Sequence, residues 1–197
     1  MEERIRVGLI GCGAMGLWHG SQLAHDIRRA ELVAVADPDE DAARRGAALA
    51  PGVRCFKDPD ALLSDPSIQA VVIASSDASH AGLIERAAQA RKDVFCEKPL
   101  APDLAAADAA RAAVARHGVK LQVGFQRRFD PAHQRARELI AAGELGPVEV
   151  AQATTRDPIL PTRPSRLEDA ALFSQTTIHD LDSLRFLTGL EVAAPSA

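Results

Sequence analysis

The segment Gly11-Cys12-Gly13-Ala14-Met15-Gly16 follows an apolar run directly, and the next such run ends in Asp37, 21 residues beyond Gly16. Glycines at this spacing suit a diphosphate: the first permits a tight turn, the second lets an anion reach the backbone, and the third lets helix and strand pack closely. The N–H groups of Ala14, Met15 and Gly16 would then open a helix and face the phosphates. A carboxylate at position 37 would accept hydrogen bonds from an adenosine ribose and repel a 2′-phosphate, which favours NAD over NADP. The neighbouring Asp39, Glu40 and Asp41 read as a solvated helix start.

A second group with chemical potential is Cys96-Glu97-Lys98-Pro99, at the end of a later apolar run. Open α/β sheets bind their ligands at the carboxyl ends of their strands, so a lysine there can face the cofactor. Positioning both groups requires strands joined by helices. Six strands are predicted, over Arg4 to Ile10, Leu32 to Asp37, Val53 to Phe56, Gln69 to Ala74, Asp93 to Glu97 and Lys120 to Phe125. Helical composition lies between them at Ala14 to His25, Asp39 to Ala50, His80 to Arg91 and Pro102 to His117. Right-handed crossovers make this a doubly wound parallel α/β sheet, a Rossmann fold over residues 1–125. Beyond it, the pattern predicts a helix from Pro131 to Ala142, a strand from Val148 to Thr154, a proline-broken loop from Arg156 to Arg166 and a last helix of about Leu172 to Leu187.

Composition narrows the function classes. Hydrophobic residues at 47% and charged residues at 25% are ordinary globular usage, which argues against a disordered or fibrous chain. The net charge of −4 gives nucleic acid no electrostatic reason to bind. Apolar stretches are too short for the roughly 20 residues of a membrane span, and no apolar region of signal-peptide length follows the charged N-terminus. Three cysteines without metal-ligand spacing argue against a disulfide framework or a metal site, and a cytoplasmic location is expected.

With the fingerprint strand, the run Glu97-Lys98-Pro99-Leu100 resembles the glucose-fructose oxidoreductase / inositol dehydrogenase / rhizopine catabolism (Gfo/Idh/MocA) family. Ser75 to His80, Gly124 to Asp130 and Thr177 to Asp182 agree with the same pattern. Within the family, the Gly-Phe-x-Arg-Arg-aromatic-Asp motif and Arg156-Asp157-Pro158 are most similar to inositol 2-dehydrogenases. The resemblance implies an oxidoreductase that uses NAD and takes a small polyol or sugar. It also implies a second α+β domain on an open antiparallel sheet, supporting homo-oligomers where that domain is complete. Residues 126–197 would be only its beginning, since the resemblance ends near Val192.

The resemblance assigns His179 as base and Lys98 as its cationic partner, with a buried helix histidine and a solvated lysine as the plainer readings. Ser75, His80 and Glu97 become cofactor-side candidates, although His80 can equally cap its helix. Arg127, Asp157 and Gln175 become substrate-side candidates. This chain departs from the family's Gly-Gly-x-Phe-x-Asp-x-x-x-His pattern, reading Ala170-Ala171-Leu172-Phe173-Ser174-Gln175 before His179. Positions 175 and 179 would share a helix face, so an aspartate that could steady the imidazolium is replaced by an uncharged amide. Asp182, three residues after His179, could substitute, whereas Asp180 is expected to point elsewhere. The second reading of function is an NAD-binding protein with little or no turnover.

Overall fold

The computed structural model describes residues 4–156 and 173–193. The chain divides into two compact units, Met1–Gly124 and Phe125–Ala197. The first alternates strand and helix as β1 Ile5–Ile10, α1 Ala14–His25, β2 Ala30–Ala36, α2 Glu40–Ala47, β3 Arg54–Phe56, α3 Pro59–Leu63, β4 Ala70–Ile73, α4 Asp77–Gln89, β5 Asp93–Cys96, α5 Leu104–His117 and β6 Leu121–Val123. The strands form one sheet in the order β3-β2-β1-β4-β5-β6, every pair parallel.

Alternation along the strands divides the core between the two faces of this sheet. Val7, Leu9, Leu32, Val35 and Val72 join Leu23 of α1 on one side. Ile10, Ala34, Ala36, Val71 and Ile73 join Leu62, Leu83, Ile84 and Ala110 of α3, α4 and α5 on the other. Burial on both faces explains why these strands read as near-continuous apolar runs.

Strand order reverses between β1 and β4, where crossovers leave in opposite directions and open a crevice at the carboxyl edge. Register levels that edge: Phe56, Ala36, Ile10, Ile73, Cys96 and Val123 lie in one row across the sheet. The ladder continues one residue further. Asp37 N–H donates to Phe56 O, Gly11 N–H to Ala36 O, Ala74 N–H to Ile10 O, Glu97 N–H to Ile73 O and Gly124 N–H to Cys96 O, at 2.8–3.2 Å. The fingerprint, Asp37 and the Glu97-Lys98 pair therefore emerge along one line.

One expectation needs correction. Val148 to Thr154 is not a strand. Its β-branched composition is not enough without a ladder partner, and none exists for it among the described residues. The short helix α3 was not predicted, although Asp58 accepts from Asp60 N–H at its start and Pro59 fills its first turn.

In the second unit a 3₁₀ turn, Gln126–Phe129, leads to α6, Pro131–Ala141, capped by Asp130, whose Oδ1 accepts the Ala132 and His133 N–H groups at 3.0 Å. A π-helical turn, Phe173–Thr177, precedes α7, Ile178–Thr188, which ends at Gly189 in the left-handed conformation. The start of the predicted last helix at Leu172, and most of the proline-broken loop, lie outside the described residues.

Candidate nucleotide and catalytic sites

The three fingerprint glycines differ in what surrounds them. Gly11 has φ +94°, and a Cβ there would lie 2.6 Å from the Ala74 carbonyl and Ser75 N. A Cβ on Gly16 would lie 1.9 Å from Gly11 O. These two positions are filled by the protein itself. A Cβ on Gly13 would meet nothing within 4 Å beyond its chain neighbours, and Gly13, Ala14 and Met15 are exposed where Gly11 and Gly16 are buried. Gly13 caps α1 without any side-chain hydrogen bond to the helix N–H groups, and no acidic residue occupies the first turn. Open backbone donors at a helix start, with room above them, fit a pyrophosphate.

Asp37 lies beside this opening. Its Oδ2 accepts Cys12 N–H at 2.7 Å and its Oδ1 accepts Asp39 N–H at 2.9 Å, so the carboxylate is fixed between the glycine loop and the approach to α2. A cavity of about 540 Å³ runs from Gly11, Gly13 and Asp37 past Ser75 to Leu83 and Arg86, a size suited to a cofactor. Ser75 Oγ is hydrogen-bonded to Ser79 Oγ at 2.6 Å on its wall.

The remaining cofactor-side candidates lie further along the edge. Glu97 turns toward α1: its Oε1 is 2.7 Å from His19 Nε2, and its Oε2 accepts Lys98 N–H at 3.2 Å. Burial pushes this carboxyl up, but the His19 hydrogen bond and charge, with those of Lys98, outweigh it and hold the group below its ordinary value. A Cβ on Gly124 would come within 3.2 Å of both carboxylate oxygens, so that glycine leaves room for Glu97. Lys98 itself is half-buried. His80 is buried, with Nδ1 2.7 Å from Pro99 O and Nε2 3.2 Å from Ser75 O, so both nitrogens face main-chain carbonyls.

His19 went unrecognised in the sequence. It lies on the inward stripe of α1 defined by Gly16, Gly20 and Leu23, and its ring sits edge-on to Phe95 and Trp18. A titratable residue on such a stripe needs a buried partner, and that requirement was the available signal.

In the second unit the His179 ring stands edge-on to Phe125, centroids 6.4 Å apart. Arg127 is committed within this unit, donating from Nη1 to Asp180 Oδ1 at 2.7 Å and from Nη2 to Thr155 Oγ1 at 2.8 Å. Thr155 Oγ1 also donates to Asp180 at 2.6 Å. The Thr155 hydrogen bond, then Arg127, with a contribution from the His179 charge, hold the Asp180 carboxyl low against the effect of burial. Asp180 thus directs its carboxylate to Arg127 and Thr155. Asp182 is buried and takes a bidentate grip from Arg128 at 2.5–3.1 Å. Gln175 lies in the π turn, where hydrogen bonds run i to i+5, so the α-helical spacing assumed between positions 175 and 179 is interrupted. Asp157 lies outside the described residues. No cluster of His, Cys, Asp or Glu that could hold a metal occurs among the described residues.

Comparison with known proteins agrees with this geometry. Residues 5–125 match an oxidoreductase family with an NAD-binding Rossmann fold, and residues 133–197 match the Gfo/Idh/MocA C-terminal domain. The chain is 36% identical over 196 residues to scyllo-inositol 2-dehydrogenase (NAD(+)) of Bacillus subtilis, covering 100% of this chain and 57% of that protein. It is 39% identical over 194 residues to inositol 2-dehydrogenase of Rhizobium meliloti, covering 98% and 58%. Scyllo-inositol dehydrogenase from Lactobacillus casei, solved with bound NAD(H) and scyllo-inositol, superimposes with a TM-score of 0.80 at 27% identity, covering 98% of this chain and 62% of that one. The chain therefore spans somewhat over half the length of these relatives. It belongs to the Gfo/Idh/MocA oxidoreductase family, with an NAD-binding Rossmann domain in its first unit.

Proposed function

We propose that the protein is an NAD-dependent dehydrogenase of a cyclic polyol or sugar, of the inositol 2-dehydrogenase type, oxidising a secondary alcohol to a ketone. The observation that carries this reading is 36–39% identity, across essentially the whole chain, to NAD-dependent and other inositol 2-dehydrogenases. When bound, NAD supplies the hydride acceptor, the C4 of its nicotinamide. The open N–H groups of α1 bind the pyrophosphate and Asp37 the adenosine ribose, with NAD preferred over NADP. Lys98 holds the reacting hydroxyl oxygen and favours its alkoxide character, while His179 takes the hydroxyl proton as the hydride departs. Arg127, Asp157 and Gln175 orient the remaining hydroxyls. Gln175 can hydrogen-bond a hydroxyl but gives the imidazolium no charge. The cytoplasm is the compartment this reading implies, in keeping with free thiols at Cys12, Cys55 and Cys96. Homo-oligomers are expected by the same family analogy.

The test couples NAD and NADP titrations with single-turnover NADH formation on inositol isomers, aldoses and deoxysugars. NAD should bind more tightly, and a cyclic polyol should yield NADH. Lys98→Ala should abolish turnover while leaving NAD bound. Equal binding of NAD and NADP would overturn the cofactor assignment. NAD binding with no turnover on any substrate would favour a binding role alone.

A further inference from the structure

Lys98 lies between two residues that are each gripped by a histidine from a different helix. Before it, Glu97 is bound by His19 of α1 at 2.7 Å, both side chains being 15% exposed. After it, the Pro99 carbonyl is bound by His80 of α4 at 2.7 Å, and His80 is 1% exposed. The two helices cover opposite faces of the sheet, α1 in the cluster holding Leu23 and α4 in the cluster holding Leu83 and Ile84. The segment Glu97–Pro99 is therefore pinned from above and below at the strand end.

Other contacts stiffen each grip. Phe95 and Trp18 stand edge-on to the His19 ring, and the second oxygen of Glu97 is tied back to Lys98 N–H. The other ring nitrogen of His80 faces Ser75 O at 3.2 Å, on the wall of the nucleotide cavity. Polar networks this buried fix geometry, because each group that loses its partner is left desolvated.

We propose that His19 and His80 are positioning residues for Lys98, each fixing one flank of the strand end from which the lysine meets the cofactor. The inference rests on the reading of Lys98 as a cofactor-side catalytic residue. A displacement of about 1 Å in such a group can cost about 10²-fold in rate, so losing either histidine should lower turnover by about 10- to 100-fold without moving the KM for NAD.

The experiment uses the full chain with ¹³C-labelled lysine, the Lys98 ε-CH₂ resonance being assigned by Lys98→Arg. NADH is titrated while NADH fluorescence reports affinity. In the unmodified protein the Lys98 resonance should move on NADH binding. His19→Leu and His80→Leu should bind NADH with unchanged affinity yet lose most of that movement, and His19→Gln and His80→Asn, whose amides place a donor near the original Nε2 and Nδ1, should regain it in part. Glu97→Gln, which keeps volume and loses the charge holding His19, gives a milder second reading and should weaken the response. A native Lys98 response in the Leu variants, or in Glu97→Gln should the Leu variants not fold, would overturn the bracing alone. A Lys98 resonance that ignores NADH in the unmodified protein while NADH binds would overturn the reading of Lys98 and the bracing together.

Discussion

Both oxygens of Asp37 are engaged by main-chain N–H groups, one from the glycine loop and one from the approach to α2, so the carboxylate cannot swing aside to admit a larger group. Its negative charge would face a 2′-phosphate at close range. Arg44 and Lys57 line the adjoining cavity, but both are drawn to Glu40, and Arg44 also to Asp41. Asp37→Asn keeps an acceptor for one N–H group while removing the charge. The NAD preference measured by calorimetric titration should then shrink by about 1–3 kcal/mol, the scale of a hydrogen bond to a charged group. An unchanged NAD to NADP ratio would show that discrimination resides elsewhere, Arg44 and Lys57 being the next residues to change.

The junction of β1 with α1 makes two glycines answer differently to the same added methyl group. Gly16→Ala would drive Cβ into Gly11 O, a main-chain atom that can move only with its loop. It should cost about 1–3 kcal/mol of stability or more, with a lowered Tm and lost NAD binding. Gly13→Ala meets nothing within 4 Å and has φ −72°, so Tm should hold while NAD affinity falls, because the methyl group projects into the ligand's space. Thermal unfolding with and without NAD distinguishes the two. This junction was legible in the sequence because local chemistry dictates it: strand, tight turn, open donors, helix. The six strands were legible for a related reason, burial on both faces leaving an unmistakable apolar run. Val148 to Thr154 misled, since a strand is a property of two segments and its composition shows only one. The π turn ahead of His179 was illegible, as nothing in Phe173-Ser174-Gln175 marks a five-residue repeat. The pairings of Asp180 with Arg127 and Asp182 with Arg128 join positions more than fifty residues apart, a distance no local pattern spans.

At the scale of the whole molecule, one thiol differs from the other two. Burial, then the Asp37 charge, push the Cys12 thiol up to about 12, and burial, then Glu97, do the same to Cys96. Both are sealed inside the sheet edge, whereas Cys55 is exposed. Thiolate is the reactive form, so a maleimide or disulfide reagent should modify the folded protein at Cys55 alone, with the other two following only on unfolding. Mass spectrometry of the labelled native protein tests this, and prompt modification of Cys12 or Cys96 would contradict it. Cys55 also shares a cavity wall with Asp37, where an adenosine ribose would rest. The molecule thus carries a built-in reporter position: a dye on that one sulfur should brighten or dim as the nucleotide arrives, reading cofactor occupancy without any catalytic turnover.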